Sequence, residues 1–443
     1  MILNFSVKNF KSIKDEVCLS FEASPNADLE DYYVYKAGSN KQYHILKLGL
    51  IYGANASGKT NVLEALDFLR EIVTNPFVYK TDEFNFSPFK FDQESIHANT
   101  LMSLEFVQND IKYYYELELN EKMIISEKLY YYKTREALVF ERSSDSEKKL
   151  TCIKFGSTIK IKEEHRKILE GNTLVNNTVL GGFLKTNLDS YELNEVADWF
   201  DKVFLKLIKP STDLLGFISN NIENGMIKKE AVVSLLAQAD FNISDIIFKD
   251  NMDEVARINY SRYIDTALII PDEERVELKN KVNKGELVLR DIFFKHSFSH
   301  GEEVLDYDEE SEGTKRYYQF SGLLDYLIRN KKLILIDELE SSLHPDLLKH
   351  FLLSFLVNKN QSQIIATTHY RELLMEKDIF RNDVIWFTEK SDKTGATDLY
   401  ALTDFKSNVI RDTSSVYNAY KIGKLGATPN LNDCYIEVEE DEE

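Results

Sequence analysis

The 443-residue sequence is poor in cysteine, with only Cys18, Cys152 and Cys434. An odd number of widely separated cysteines builds neither a disulfide framework nor a cysteine-based zinc site, and is typical of a reducing compartment. The N-terminus has no basic stretch followed by an apolar signal segment. No apolar run approaches the roughly 18 residues needed to span a bilayer. We therefore expect a soluble, cytoplasmic protein without a membrane partner.

Acidic residues outnumber basic ones: the chain has 54 Lys and Arg and 74 Asp and Glu, which gives a formal net charge of −20. A field of this sign repels phosphate and argues against bulk coating of nucleic acid, although it leaves room for a local basic patch. Part of the excess is a terminal run that we expect to be solvated, either for solubility or to contact a basic partner. This run comprises Glu437, Glu439, Glu440, Asp441, Glu442 and Glu443.

Linkers and repeats are also missing, since the chain has 7 Pro and 17 Gly, no Gly/Ser-rich or Pro-rich segment and no fixed-period repeat. What is present is an ordinary globular composition with 43% hydrophobic residues, enough for a sizeable core. The length favours two or three structural units.

Apolar periodicity divides the chain. Residues 2–7 and 48–52 read as strands, and a helical stripe that includes Val62, Leu66 and Leu69 follows the second of them. Tyr-, Phe- and Ile-rich segments over 101–162 predict antiparallel strands joined by hairpins. Residues 163–289 are mostly helical and charged, without the sustained heptads of a long coiled-coil arm.

The C-terminal third returns to strands. Apolar runs at 333–336 and 364–367 have the character of buried parallel strands, and a helical segment at 347–356 separates them. Residues 384–387 predict one further strand.

The strongest chemical signal is a complete phosphate-loop motif between the strand at 48–52 and the following helix. Glycines let backbone N–H groups approach phosphate oxygens, the lysine neutralises the β and γ phosphates, and the threonine hydroxyl suits Mg²⁺. The motif consists of Gly53, Ala54, Asn55, Ala56, Ser57, Gly58, Lys59 and Thr60.

A second signal is the apolar strand 333–336, which Asp337 and Glu338 follow directly. Ligands bind at the carboxyl ends of strands in open α/β sheets. Asp337 therefore suits the support of a metal, and Glu338 suits a base that orients the attacking water. The two halves of this site flank the whole middle of the chain.

Two weaker signals are open to plainer interpretations. Ser311 and Gly313 stand where a helix begins and offer N–H groups to an anion, but taken alone they are better explained by an ordinary N-cap. His369 follows the strand at 364–367 and suits a hydrogen bond to a γ-phosphate, although a lone histidine is more often structural.

The order of these motifs resembles the ABC-type ATPase head shared by SMC, recombination-mediator and OLD-type proteins. Within that group the chain is most similar to bacterial abortive-infection ATPases of the AbiLi or RloA type. The segments that carry the closer resemblance begin at Asn9, Ser87, Glu310 and Ile336, with further similarity at 381–387, 404–406 and 423–429.

The resemblance implies a role for each site residue. Gly53 to Thr60 would bind ATP and Mg²⁺, Asp337 would support the metal, and Glu338 would be the catalytic carboxylate, with Lys59 and His369 at the γ-phosphate. Ser311 and Gly313 would contact the γ-phosphate held by a second copy, which implies a homodimer or a higher even oligomer. Gln108 and Gln238 are both candidates for the glutamine loop.

The expected fold is α/β: a split ABC/SMC-like P-loop ATPase head with an antiparallel β subdomain and a helical insertion. We place the first half of the head at 1–165, the insertion at 166–289, the second half at 290–410 and a C-terminal segment at 411–443. The segment after about residue 404 is too short for the nuclease domain of OLD-type proteins.

The expected function is Mg²⁺-dependent ATP hydrolysis by a dimerising switch or sensor in anti-phage defence that controls a separate effector protein. A DNA-repair or chromosome-associated ATPase that binds nucleic acid directly is the alternative. Its basic surface would consist of Lys228, Lys229, Lys279, Lys281 and Lys284, although solvated helix faces also explain these lysines. A scaffold that binds ATP without turnover is a third possibility, against which Glu338 argues.

Overall fold

The computed structural model describes residues 1–38, 41–145, 150–239, 241–251, 279–282, 284, 289–376, 379–405 and 416–428. Cys434, the acidic run at 437–443 and parts of the C-terminal segments with family resemblance lie outside the described residues. Cys18 and Cys152 are free and exposed. Within the described part, no helix is both long and apolar enough to cross a membrane.

The strands are β1 (Ile2–Lys8), β2 (Val17–Ser20), β3 (Val34–Ala37), β4 (Tyr43–Leu46), β5 (Leu48–Gly53), β6 (Thr100–Gln108), β7 (Ile111–Leu119), β8 (Ile124–Tyr132), β9 (Glu136–Asp145), β10 (Leu150–Phe155), β11 (Ile243–Asn251), β12 (Leu289–Phe298), β13 (Gly301–Asp306), β14 (Leu333–Ile336), β15 (Gln363–Thr367), β16 (Ile385–Lys390) and β17 (Thr397–Ala401).

The helices are α1 (Glu30–Tyr33), α2 (Lys59–Thr74), α3 (Gln93–His97), α4 (Glu163–Asn172), α5 (Val179–Leu184), α6 (Tyr191–Asp198), α7 (Leu215–Glu223), α8 (Lys229–Gln238), α9 (Glu312–Arg329), α10 (Pro345–Val357) and α11 (Val416–Lys421). A π-helical turn covers Trp199–Val203, and 3-10 turns cover Tyr307–Glu309, Arg371–Met375, Asn382–Val384 and Leu402–Asp404.

The chain forms two compact units. The first contains Met1–Thr212, Asn330–Ser341 and Leu356–Glu443, and the second contains Asp213–Arg329 and Ser342–Phe355. The domain boundaries expected from the sequence stay a prediction.

A five-stranded sheet in the first unit positions the phosphate loop. Its order is β14-β15-β5-β16-β17, with β5 parallel to both β15 and β16 and only β17 antiparallel. Every residue of β5, β14 and β15 is buried, because a parallel strand covered on both faces cannot alternate apolar and polar side chains. This packing explains the continuous apolar runs in the sequence.

A seven-stranded antiparallel sheet, also in the first unit, has the order β10-β9-β8-β7-β6-β1-β2. Its buried residues alternate along β7, as the period of two requires. Phe106 stacks on Trp199 with ring centroids 4.0 Å apart, so the π-helical turn covers part of this sheet. The turn between β6 and β7 has Asn109 and Asp110 at φ 47° and 61°, as a tight hairpin requires.

The second unit combines helices with the three-stranded sheet β11-β12-β13. Phe294 of β12 lies 5.1 Å from the ring of Tyr318 in α9, so sheet and helix share an aromatic core. The α/β class with a split P-loop head is confirmed, whereas β11 lies in a segment that we expected to be helical. Its pairing with β12 is long-range, and its charged residues mask the strand pattern.

Candidate nucleotide-binding site

The phosphate loop connects β5 to α2 in the predicted way. Gly53 ends the strand, Lys59 begins the helix, and Ala56 and Gly58 adopt φ values of 62° and 102°. A Cβ atom at Gly53 would lie 2.5 Å from the hydroxyl oxygens of Ser57 and Thr388, so only glycine fits there. The chain thus wraps tightly at the N-terminus of a 16-residue helix, where backbone N–H groups favour an anion.

Lys59 lies buried inside this loop. Its Nζ donates hydrogen bonds to the carbonyl oxygens of Gly53 and Ala54, both at 3.0 Å. Burial lowers the pKa of Lys59 to about 8, although Asp337, Glu340 and Glu338 act in the opposite direction. The ammonium group is therefore positioned at the loop and poorly solvated, a state that an anionic ligand would relieve.

Thr60 and Asp337 connect the two halves of the site. Thr60 Oγ1 donates to the Asp337 carboxylate at 3.1 and 3.0 Å, across a sequence separation of 277 residues. The hydroxyl of Thr367, at the end of β15, donates to Asp337 Oδ1 at 2.6 Å. Asp337 is buried, and its carboxylate is held by hydroxyl groups from α2 and β15.

Glu338 is exposed, in contrast to its neighbour Asp337. Its φ of 49° is in the left-handed region, which costs a non-glycine residue on the order of 1 kcal/mol. Hydrogen bonds hold this backbone: Glu338 N donates to Thr367 Oγ1 at 2.8 Å, and Leu339 N donates to the Thr367 carbonyl at 3.0 Å. The strained turn at the end of β14 thus presents the Glu338 carboxylate to solvent.

His369 follows β15 and is half-buried. Its backbone N–H donates to Glu340 Oε1 at 2.5 Å. Burial and the nearby charge of Lys59 lower the pKa of His369, while Glu340, Glu338 and Asp337 act in the opposite direction. The lowered pKa favours the neutral imidazole, which can donate one hydrogen bond.

A family model described as "AAA domain, putative AbiEii toxin, Type IV TA system" matches residues 50–151 and 185–376, more than half of the chain. The chain belongs to this AAA family. No curated protein matches the sequence.

Solved structures similar to this AAA-domain chain include three SMC heads, each at 12% sequence identity. The SMC head domain from Thermotoga maritima has a TM-score of 0.39, and the alignment covers 90% of this chain and 98% of the SMC chain. An SMC head bound to the C-winged helix domain of ScpA has a TM-score of 0.43, with coverages of 91% and 99%. An SMC head with an extended coiled coil, bound to the C-terminal domain of ScpA derived from Pyrococcus furiosus, has a TM-score of 0.37, with coverages of 96% and 98%.

A network of hydroxyl groups supports the AAA phosphate loop from outside. Thr397 Oγ1 contacts both the Ser57 carbonyl, at 2.9 Å, and Ser12 Oγ, at 2.8 Å. Asn61, in the first turn of α2, donates to Ser12 Oγ at 2.6 Å. Ser57 and Thr388 pair their hydroxyls at 2.7 Å. The loop is therefore braced by residues from the β1–β2 connection and from β16 and β17.

Asn9 explains why two of the segments with family resemblance occur together. Its buried side chain accepts from Phe89 N at 3.0 Å and donates to the carbonyls of Ser95 and Ala98. Lys11 N also donates to the Ser87 carbonyl at 2.8 Å. Hydrogen bonds therefore join the two segments.

Ser311 and Gly313 belong to the second unit. Ser311 Oγ accepts from Thr314 N at 3.1 Å, so Ser311 caps the 18-residue helix α9, and the serine itself is exposed. A Cβ atom at Gly313 would have no neighbour closer than 3.7 Å. Neither feature decides between an ordinary cap and an anion site.

The structure thus brings together Lys59, Thr60, Asp337, Glu338 and His369 at the carboxyl ends of neighbouring strands. Five supporting residues were not assigned roles from the sequence. They are the positioning residues Thr367 and Glu340 and the residues that brace the loop, Ser12, Asn61 and Thr397. Only the role of Thr367 had a signal in the sequence. Thr367 ends an apolar strand just before the predicted site residue His369, and a residue in that position lies at the sheet edge where ligands bind.

The oxygen donors of Thr60 and Asp337 suit Mg²⁺, which binds one or two protein oxygens and keeps waters and substrate phosphates as its other ligands. In the described part of the chain, no group of three or more His, Cys, Asp and Glu residues could hold a metal ion. The donors present therefore fit a metal that arrives with a nucleotide. The choice between Gln108 and Gln238 as the glutamine loop stays open.

Proposed function

We propose that this AAA-domain protein is a Mg²⁺-dependent ATPase whose site consists of the phosphate loop and the acidic pair after β14. The hydrogen bond from Thr60 to Asp337 is the observation that carries this proposal, because it joins the two halves of the motif set. Lys59 and the backbone N–H groups of the loop would bind phosphate oxygens. Thr60 and Asp337 would hold Mg²⁺, and the ion would supply charge neutralisation for the phosphates.

Glu338 is the proposed base that orients the attacking water. Its carboxylate is exposed directly after the buried Asp337, so it is accessible to a water molecule at the mouth of the site. The imidazole of His369 suits a hydrogen bond to the γ-phosphate. Phosphoryl transfer requires mainly positioning and charge stabilisation, and Lys59, Glu338 and His369 together would supply both.

The proposed site is completed by a second copy of the protein. Ser311 is exposed at the N-terminus of α9, whose positive dipole end and N–H groups favour an anion. In our proposal this helix end contacts the γ-phosphate held by the partner, so that ATP closes a homodimer and hydrolysis opens it.

The cellular role that we propose is a switch or sensor in anti-phage defence, of the AbiLi or RloA type, which controls a separate effector protein. The matched family model names a putative AbiEii toxin and a type IV toxin–antitoxin system, and such a two-component system supports a defence setting and a protein partner. Identifying what co-elutes from the native host with and without ATP tests the partner.

The deciding variant is Glu338→Gln, which keeps the size of the side chain and removes its negative charge. We expect ATP binding to persist, turnover to fall by about two orders of magnitude or more, and a dimer to accumulate in size-exclusion chromatography with ATP. Glu121→Gln, an exposed change in the β7–β8 hairpin, is the matched control and should behave as wild type. Unchanged turnover in Glu338→Gln would overturn the role of Glu338 as the base. A wild type that binds ATP without turnover would overturn the ATPase assignment and favour the scaffold that binds ATP without hydrolysing it.

A nucleic-acid-dependent ATPase is the second candidate, supported by the lysines of the insertion. One of them, Lys229, is engaged, because its Nζ pairs with Asp245 at 2.8 Å. Salt-dependent DNA binding that stimulates hydrolysis would favour this candidate, and no binding at low salt would exclude it.

A further inference from the structure

A cavity of about 450 Å³ opens on the surface of the first unit. Its walls include two aromatic rings, three lysines and one loop glycine: Phe89, Phe91, Lys14, Lys390, Lys393 and Gly395. This volume is within the range of small-molecule sites, about 300–1,000 Å³. None of these residues has a role in the phosphate chemistry proposed above.

Two chain segments connect the cavity to the phosphate loop. Lys14 is two residues beyond Ser12, and Gly395 is two residues before Thr397. Ser12 and Thr397 are the residues that contact Asn61 and the Ser57 carbonyl, at the end of the loop where α2 begins. Two residues span at most about 7 Å of extended chain, so the cavity walls begin close to the loop.

Phe91 is the notable group in this cavity, because its residue is 73% exposed although it is aromatic. The ring makes an edge-to-face contact with Phe89, with centroids 5.7 Å apart and an interplanar angle of 80°. Gly395, at φ 70°, approaches so closely that a Cβ atom there would lie 3.0 Å from the Phe91 ring. The ring is thus held in place while much of its surface stays open to a flat partner.

The charge of the cavity differs from that of the chain. Three lysines face one acidic residue, Asp92, in a protein of net charge −20. Asp92 is already engaged, because its carboxylate accepts from Ser95 N at 3.0 Å and pairs with Lys14 at 3.6 Å. Lys390 Nζ lies 5.8 Å from the Phe91 ring centroid. Ammonium groups beside an open ring suit a ligand with a π-face and exposed oxygen or nitrogen acceptors.

We propose that this cavity binds the base and ribose of the nucleotide whose phosphates the loop binds, with the base stacked on Phe91. The inference rests on the proposed nucleotide site and adds its base-binding part. Stacking on an aromatic ring tolerates any base, because every base has a π-face. The lysines then donate to acceptor atoms of the base and sugar.

The test compares ATP with inorganic tripolyphosphate, which has the phosphate chain but no base, by calorimetry in one Mg²⁺ buffer. We expect Phe91→Ala to weaken ATP binding about tenfold, since loss of a base–aromatic stack removes that order of affinity. Tripolyphosphate binding should be unchanged, and Phe91→Tyr should bind ATP as the wild type does. Tyr79→Ala removes a comparably exposed ring elsewhere and should alter neither ligand.

The outcomes separate this inference from the function on which it rests. Unchanged ATP affinity in Phe91→Ala, or an equal loss for tripolyphosphate, overturns the base site. A Phe91→Ala variant that loses single-stranded oligonucleotide binding but not ATP binding also overturns it and assigns the cavity to nucleic acid. Lys59→Ala should lose both ATP and tripolyphosphate, and retention of both would instead refute the phosphate site.

Discussion

His369 and Glu340 are joined through the backbone, because the amide of His369 donates to Glu340 Oε1 at 2.5 Å. The second carboxylate oxygen of Glu340 is buried and has no hydrogen-bond partner among the described residues. Burial and the nearby Glu340 raise the pKa of Tyr52 far above its usual range. Glu340 therefore fixes the backbone that carries the imidazole and acts as a positioning residue.

Replacing Glu340 tests this positioning role. Glu340→Ala removes the acceptor for His369 N, and we expect kcat to fall about tenfold or more while ATP affinity changes little. Glu340→Gln keeps a carbonyl oxygen in the same place and should recover most of the turnover. Steady-state kinetics and a separate binding measurement distinguish the effect on kcat from the effect on ATP affinity. Equal turnover in Glu340→Ala and wild type would show that His369 needs no such support.

Thr367 offers a test of the assembled acidic site, because one hydroxyl both donates to Asp337 and accepts from Glu338 N. Thr367→Val preserves the shape and leaves the Glu338 N–H and the Asp337 oxygen without this partner. We expect a loss of about 1–3 kcal/mol in the free energy of unfolding, with a clear fall in turnover.

Thr367→Ser restores the hydroxyl and is the matched control. Denaturant titration of the three proteins measures the stability change. A Thr367→Val variant as stable and active as the wild type would show that the Thr367 hydroxyl does not position the acidic site.

The pH dependence of nucleotide binding follows from Lys59, whose pKa is lowered to about 8 by burial. The ammonium form binds phosphate and predominates below that value. Above pH 8 the free protein has lost this proton, so binding must take one up and affinity falls. From pH 8 to 9.5 we expect ATP affinity to drop about tenfold or more, measured by titration calorimetry.

Lys59→Arg is the control for this dependence, since a guanidinium stays charged throughout the range. Its affinity should be lower than that of the wild type at pH 7.5 because the geometry differs, and nearly constant up to pH 9.5. A wild-type affinity that does not change between pH 7.5 and 9.5 would mean that Lys59 stays charged in the free protein.

Much of the fold was predictable because its signals are local. The buried strand β5, the glycine-bounded loop and the apolar stripe of α2 each follow from neighbouring residues, and the structure has them where the pattern predicts. The strand β11 was not predictable in this way. Ile243 to Asn251 becomes a strand through pairing with β12, which begins 38 residues after β11 ends.

The candidate site likewise has a part that local sequence predicts and a part that depends on long-range contacts. The sequence by itself determined the phosphate loop and the acidic pair, because their chemistry requires particular residue types at adjacent positions. Only the tertiary structure decided that Ser12, Thr397 and Glu340 support them, since these contacts join residues far apart in the chain and depend on which strands become neighbours. Hydroxyl and carboxylate side chains gain such roles from the geometry of the sheet edge, where hydrogen bonds form only within about 3 Å.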